Sequence, residues 1–118
     1  MKIKELVDMY VELIDCMEKV AKELGETLVH ILKPIIPDIR YSVGWAEAGA
    51  DVVCLWSESR DVNKVSCEDV SKGKYVSLRQ VIVSVIPELR GHIDCPYGIY
   101  ITPEEAEKIR KILKEAFK

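Results

Sequence analysis

The first third of the chain carries a single apolar pattern. Ile3, Val7, Tyr10, Ile14, Met17, Ala21, Leu24, Leu28 and Ile31 recur at alternating steps of four and three, a heptad seam that predicts helix. Leu6, Leu13 and Val20 widen the seam on one side into the three-in-seven stripe of a helix laid on a globular core. Glu5, Asp8, Glu12, Glu18, Lys19 and Glu23 fall on the remaining, solvated face. Gly25 interrupts the pattern at a cost of about 1 kcal/mol against alanine and predicts a kink or break there. Pro34 and Pro37 end the helical region, because proline cannot continue a helix interior.

An unbroken helix of ~31 residues would run roughly 46 Å, well beyond the ~30 Å breadth of a small domain. Two arrangements answer this. Either two helices fold back on one core, or part of the stripe projects and pairs with a second copy. In the second arrangement the protein is a homodimer, and Val7, Tyr10, Ile14, Met17 and Leu24 are its self-association residues.

After the prolines the pattern changes to strand. About 39–47 ("IRYSVGWAE") and about 51–58 ("DVVCLWSE") are rich in β-branched and aromatic residues and flank the turn-like "AGAD", which predicts a hairpin. A two- or four-residue loop would set Tyr41, Val43 and Trp45 beside Val52, Cys54 and Trp56 on one face. Ser42, Gly44, Ala46, Val53 and Leu55 would then make a small-residue face for a helix to approach. A three- or five-residue loop would instead put the tryptophans on opposite faces.

Further along, "NKVSC" reads as a short strand and "SKGK" as a turn. In "SLRQVIVSVIPELRG" the β-branched residues suggest a strand. Leu78, Val81, Ile82, Val85, Ile86 and Leu89 nevertheless fit a helical face, and the spacing predicts a helix over about 77–89. Ser77 is its N-cap, Gly91 its stop, and Pro87 disturbs its last turn. "GIYI", about 98–101, reads as a strand. A C-terminal helix over about 103–117 is the best-marked element, with Thr102 and Glu105 forming a capping box around Pro103. The expected fold is α+β, a single domain over 1–118: a long N-terminal helix, a small antiparallel sheet built on the hairpin, a further helix, a strand and a closing helix.

Composition narrows the class. Hydrophobic residues make up 48% and charged residues 31% of the 118, which describes a chain able to bury a core, not a disordered one. No apolar run approaches the ~18 residues needed to cross a bilayer, so no membrane partner is expected. The acids from Glu5 onward are unlike a secretory signal, and a cytoplasmic location is expected. Asparagine and glutamine occur once each, at Asn63 and Gln80; scarce amides with abundant charge indicate a thermophilic origin. Net charge is −3, but residues 60–90 hold six bases against four acids, a weak pointer to an anionic ligand.

Candidate chemistry is sparse. His92 and Cys95 stand at His-x-x-Cys spacing and, with Cys54 and Cys67, would supply four zinc ligands, but the cysteines lack the paired spacing of a zinc module. A Cys67–Cys95 disulfide is compatible with a thermophile's interior. The chain contains no phosphate-binding glycine loop, nucleophile elbow or His-Glu-x-x-His motif, and no cofactor or catalytic residue is assigned. Tyr41, Trp45 and Trp56, beside Arg40, Arg60, Lys72, Lys74 and Arg79, combine stacking rings with cations in the way single-stranded nucleic acid is bound on sheets. The sequence therefore points to a small self-associating binding or assembly protein whose outside ligand is single-stranded DNA or RNA. A purely protein-binding module and a small Cys/His enzyme or metal protein are the alternatives.

Overall fold

The computed structural model describes residues 3–12, 17–45, 51–95 and 98–117, with backbone alone for 9–12, 17–19, 45, 51 and 62. The heptad seam forms two helices, α1 (Ile3–Glu12) and α2 (Met17–Leu32), packed on each other. The longest dimension of the molecule is 40 Å, so a single 46 Å helix would not fit. Gly25 is not the break: α2 continues through it. The described part of the stripe is covered by its own chain. Ile3, Leu6, Val7, Ala21, Leu24 and Leu28 are all buried in one core.

This corrects part of the expected self-association surface, since Val7 and Leu24 are both fully buried within the chain and have no apolar area left for a partner. Tyr10, Ile14 and Met17 lie outside the described side chains.

After α2 a turn carries buried Ile36 and Ile39 into β1 (Arg40–Trp45), which pairs antiparallel with β2 (Asp51–Trp56). Tyr41 is in register with Leu55, Val43 with Val53 and Trp45 with Asp51; the alternate row pairs Arg40 with Trp56, Ser42 with Cys54 and Gly44 with Val52. Five residues thus connect the strands, and positions 45 and 56 fall in different rows. The odd-numbered row faces the core: Val53 and Leu55 are fully buried, and Tyr41 and Val43 pack against the same cluster under α2.

At the open end of the hairpin, Asp38 accepts hydrogen bonds from the Ser57 hydroxyl (2.6 Å), the Ser59 hydroxyl (2.8 Å) and the Ser59 amide (3.0 Å). Burial raises the Asp38 carboxyl, but these donors outweigh it and hold the pKa at about 2.

The stretch containing "NKVSC" is not a strand. The Asp61 carboxylate accepts from the Asn63 amide at 3.0 Å to open a 3₁₀ turn at Val62–Lys64. The Ser66 hydroxyl caps the short α3 (Cys67–Ser71) by accepting from the Asp69 amide, also at 3.0 Å. Side-chain capping of this kind competes with strand pairing. β3 (Val76–Ser77) then leads directly into α4 (Leu78–Val85).

Pro87 ends α4 a turn earlier than the apolar periodicity predicts. The residue before it, Ile86, is displaced to φ −126°, ψ 79°, as the proline ring requires, and Pro87–Leu89 continues as 3₁₀. Gly91, at φ +85°, takes the left-handed conformation that lets the chain reverse into β4 (Ile93–Asp94). β4 joins β2 in parallel, Val53 with Ile93 and Cys54 with Asp94, and the Val53 amide donates to the His92 carbonyl at 2.9 Å.

The described strands thus form one mixed three-stranded sheet, β1-β2-β4, and a second pair, β3 with β5 (Tyr100–Ile101). The expected antiparallel hairpin sheet is therefore extended by a parallel strand, and "GIYI" pairs elsewhere. α5 (Pro103–Phe117) closes the core against α1, α2 and α4. Its capping box is formed as expected, Thr102 amide to Glu105 carboxylate at 3.0 Å and Glu105 amide to Thr102 hydroxyl at 3.2 Å. Among the described residues no helix is long and apolar enough to cross a membrane.

Candidate ligand-binding surface

The structure separates the residues expected to form an aromatic, basic platform. Tyr41 lies in the core-facing row, and its ring packs on Gly25 of α2 while its hydroxyl donates to Glu26 at 3.0 Å. Burial, reinforced by Glu26, raises the Tyr41 pKa. Position 45 belongs to the same row, and the Trp45 side chain lies outside the described residues. Arg60 makes a bidentate ion pair with Glu105, at 2.5 and 2.7 Å. That pairing is the main cause raising the Arg60 pKa and lowering that of Glu105. Lys74 sits 3.4 Å from Asp69, and Lys72 sits 2.6 Å from Glu68. A platform joining Tyr41 and Trp56 is therefore not formed, and Arg60, Lys72 and Lys74 are engaged with carboxylates.

Three of the expected residues do share a surface. Arg40 and Trp56 are cross-strand neighbours in the even-numbered row, which forms the outer face of the sheet; Arg40 is exposed and Trp56 half-buried. Gly44, Val52 and Cys54 continue this face and, with Ile93 and Asp94 of β4, line a groove of about 300 Å³. Arg79 forms one flank. Its Nε donates to the Ile93 carbonyl at 3.1 Å, which ties the first turn of α4 to β4.

Arg79 also lines a second, larger groove of about 560 Å³ with Gln80, Val83, Ser84, Pro87 and Arg90. Gln80, Val83, Ser84 and Pro87 stand at helical spacing on one face of α4 and its 3₁₀ extension. Arg90 joins them because Pro87 tightens the turn, the Arg90 amide donating to the Pro87 carbonyl at 3.1 Å. Among the described residues Arg79 is thus the one side chain common to both grooves. Arg90, Gln80 and Ser84 were not singled out from the sequence as ligand contacts, and Cys54 was considered there only as a zinc ligand. The basic excess of residues 60–90 included Arg90, but only the chain reversal at Gly91 shows where it goes.

The Cys54 and Cys95 thiols are poorly suited to nucleophilic chemistry. Cys54, Cys67 and Cys95 are free, so the expected Cys67–Cys95 bridge is not present. Cys67 opens α3 and lines a shallow cleft with Tyr100, whereas Cys95 follows β4 and packs against the core. Burial, then Asp94, pushes the Cys95 thiol up to about 12, with Arg79 opposing only part of the effect; burial and Asp94 also raise Cys54. A nucleophilic cysteine needs the opposite shift. Burial lowers the His92 pKa, favouring its neutral form. Among the described residues no three His, Cys, Asp or Glu side chains come together in a way that could hold a metal ion, so His92 and Cys95 gain no further ligands there. No protein-family model, curated protein or solved structure matches the chain.

Proposed function

We propose that this protein is a non-catalytic binding module whose ligand, a single-stranded nucleic acid, lies across the outer face of the β1-β2-β4 sheet and along α4. One observation carries the reading: Arg79 lines both a groove along α4 and a groove on the outer sheet face, and the even-numbered row of that face also holds Trp56 and Arg40. Half-buried Trp56 supplies a ring for stacking, and the arginines supply charge for phosphates. The contact set is narrower than the sequence suggested, resting on Arg40, Trp56 and Arg79 with Arg90 added. Thermophile-type composition and a cytoplasmic location belong to the same proposal.

Titration of tryptophan emission with deoxythymidine oligonucleotides at low salt tests it. Saturable quenching that weakens steeply with added salt is expected, because phosphate contacts release counterions. Trp56→Ala should cost ~1–3 kcal/mol of binding through lost stacking, and Arg79→Ala should reduce the salt slope by about one. No quenching and no retardation of any oligonucleotide at low salt would overturn the reading.

A second reading, a protein partner or second copy, draws on β1. Among the described strands it pairs only with β2 and ends the sheet order, and an edge strand of this kind is where strand addition takes place. Light scattering at rising concentration distinguishes it.

A further inference from the structure

We infer that the α4 groove contains an oxyanion seat, formed by Arg79 and Arg90, that takes a phosphate group. The inference builds on the binding reading above but can be tested without nucleic acid. Its first support is how the cations are distributed. Arg60, Lys72, Lys74 and Arg110 are each paired with a carboxylate. Arg79 and Arg90 are not paired with one among the described residues, yet both line the same concavity.

Among the described residues the groove lining contains no carboxylate. Asp94 lines the neighbouring groove, and Glu88 is not among the lining residues. A cleft walled by one sign of charge concentrates its counter-ion, and Val83 and Pro87 complete the lining.

The second support is orientation. A guanidinium is a rigid fork of five N–H donors suited to bidentate contact with phosphate oxygens. On Arg79 the Nε–H is occupied by the Ile93 carbonyl, which anchors the plane and leaves both terminal NH₂ groups for a ligand. The backbone of Arg90 is fixed by the Leu89 amide to Ile86 carbonyl bond (3.0 Å) and by its own amide to Pro87 (3.1 Å). Gln80 adds an amide donor. The Ser84 hydroxyl is directed to the Val81 carbonyl at 2.7 Å and is not needed as a ligand. The seat therefore presents two arginines and an amide, a set that suits a tetrahedral oxyanion of high charge.

The test follows backbone amide resonances of the intact 13.4 kDa chain during titration with inorganic phosphate at constant ionic strength, chloride serving as the control anion. Saturable shifts centred on Gln80, Ser84 and Arg90 are expected, with little response to chloride. Arg90→Gln, an exposed change that leaves the core intact, should weaken phosphate binding ~10-fold or more. Arg79→Lys should weaken it as well by removing the fork while keeping the charge. Addition of an oligonucleotide distinguishes the source of the group. If phosphate and oligonucleotide compete, the seat holds a backbone phosphate of the strand. If phosphate binds and no oligonucleotide competes, the seat stands as a site for free phosphate or a phosphomonoester, and the nucleic-acid reading falls. Absence of saturable shifts, or shifts indifferent to both substitutions, overturns the seat.

Discussion

The Tyr41 ring occupies the space that a side chain at residue 25 would need: a Cβ on Gly25 would lie 2.7 Å from Tyr41 Cγ and 2.9 Å from Cε2. The glycine inside α2 is thus the point at which helix and sheet come together, and the aromatic residue of β1 is inserted there instead of facing solvent. Gly25→Ala pits a small gain in helix propensity against overpacking of about 1–3 kcal/mol. Net destabilisation in urea melts is expected, together with recovery in the Gly25→Ala/Tyr41→Leu double variant. Additive losses in the two single variants and the double would show that the contact is not the cause.

Asp38 sets the acid limb of stability. Its folded pKa of about 2 lies below the ordinary 3.8, so the unfolded chain takes up the proton first. The contribution is fully present above pH 4, falls as the carboxylate of the unfolded state protonates, and is lost below about pH 2. After allowance for solvent screening it amounts to about 1 kcal/mol. Asp38→Asn should therefore lower the melting temperature at pH 7 and flatten its decline between pH 4 and pH 2.

Arg60 and Glu105 join the turn after β2 to the first turn of α5, and the same carboxylate completes the capping box. Glu105→Gln removes the ion pair but keeps a capping acceptor; Glu105→Ala removes both. The alanine variant should lose about 1–2 kcal/mol and the glutamine variant less. Faster hydrogen exchange at the start of α5 in the alanine variant alone would locate the difference in the cap.

The burial of Leu24 makes it a core residue. Leu24→Ala should cost about 2–5 kcal/mol, with a denaturation midpoint independent of protein concentration. A midpoint that rises with concentration would show that Leu24 acts through a subunit contact.

Thiol reactivity should follow exposure. Cys67 is exposed, whereas Cys54 and Cys95 are half-buried with raised pKa values. Alkylation by iodoacetamide at pH 8, read by peptide mass, should modify Cys67 first and Cys95 last of the three. Early modification of Cys95 would contradict its packing against the core.

What the sequence disclosed was local. Thr102, Pro103 and Glu105 lie within one turn, so their capping geometry followed from spacing alone, and the stripe identified Ile3, Leu6, Val7, Ala21, Leu24 and Leu28 as buried because a helix repeats. Non-local features were hidden. The hairpin register depended on a loop length that "AGAD" does not fix, and an odd loop moved Tyr41 away from Trp56. β3 and β4 are two residues each, too short to show a period. The approach of Arg79 to Arg90 required a proline-shortened helix and a left-handed glycine acting together. The heptad seam was read correctly as apolar, but periodicity alone does not say whether the covering surface belongs to the same chain.

The parallel pairing of β4 with β2 has a kinetic consequence. It joins residues near 53 to residues near 93, so a long loop must close before only two residue pairs are gained, whereas α1, α2 and the hairpin form from near neighbours. Contacts of this kind form late and open early. Both grooves depend on that strand, one through Ile93 and Asp94 and the other through the Arg79 tether to Ile93. On the proposed binding reading, oligonucleotide affinity should therefore be lost on warming before the helical content measured by circular dichroism falls.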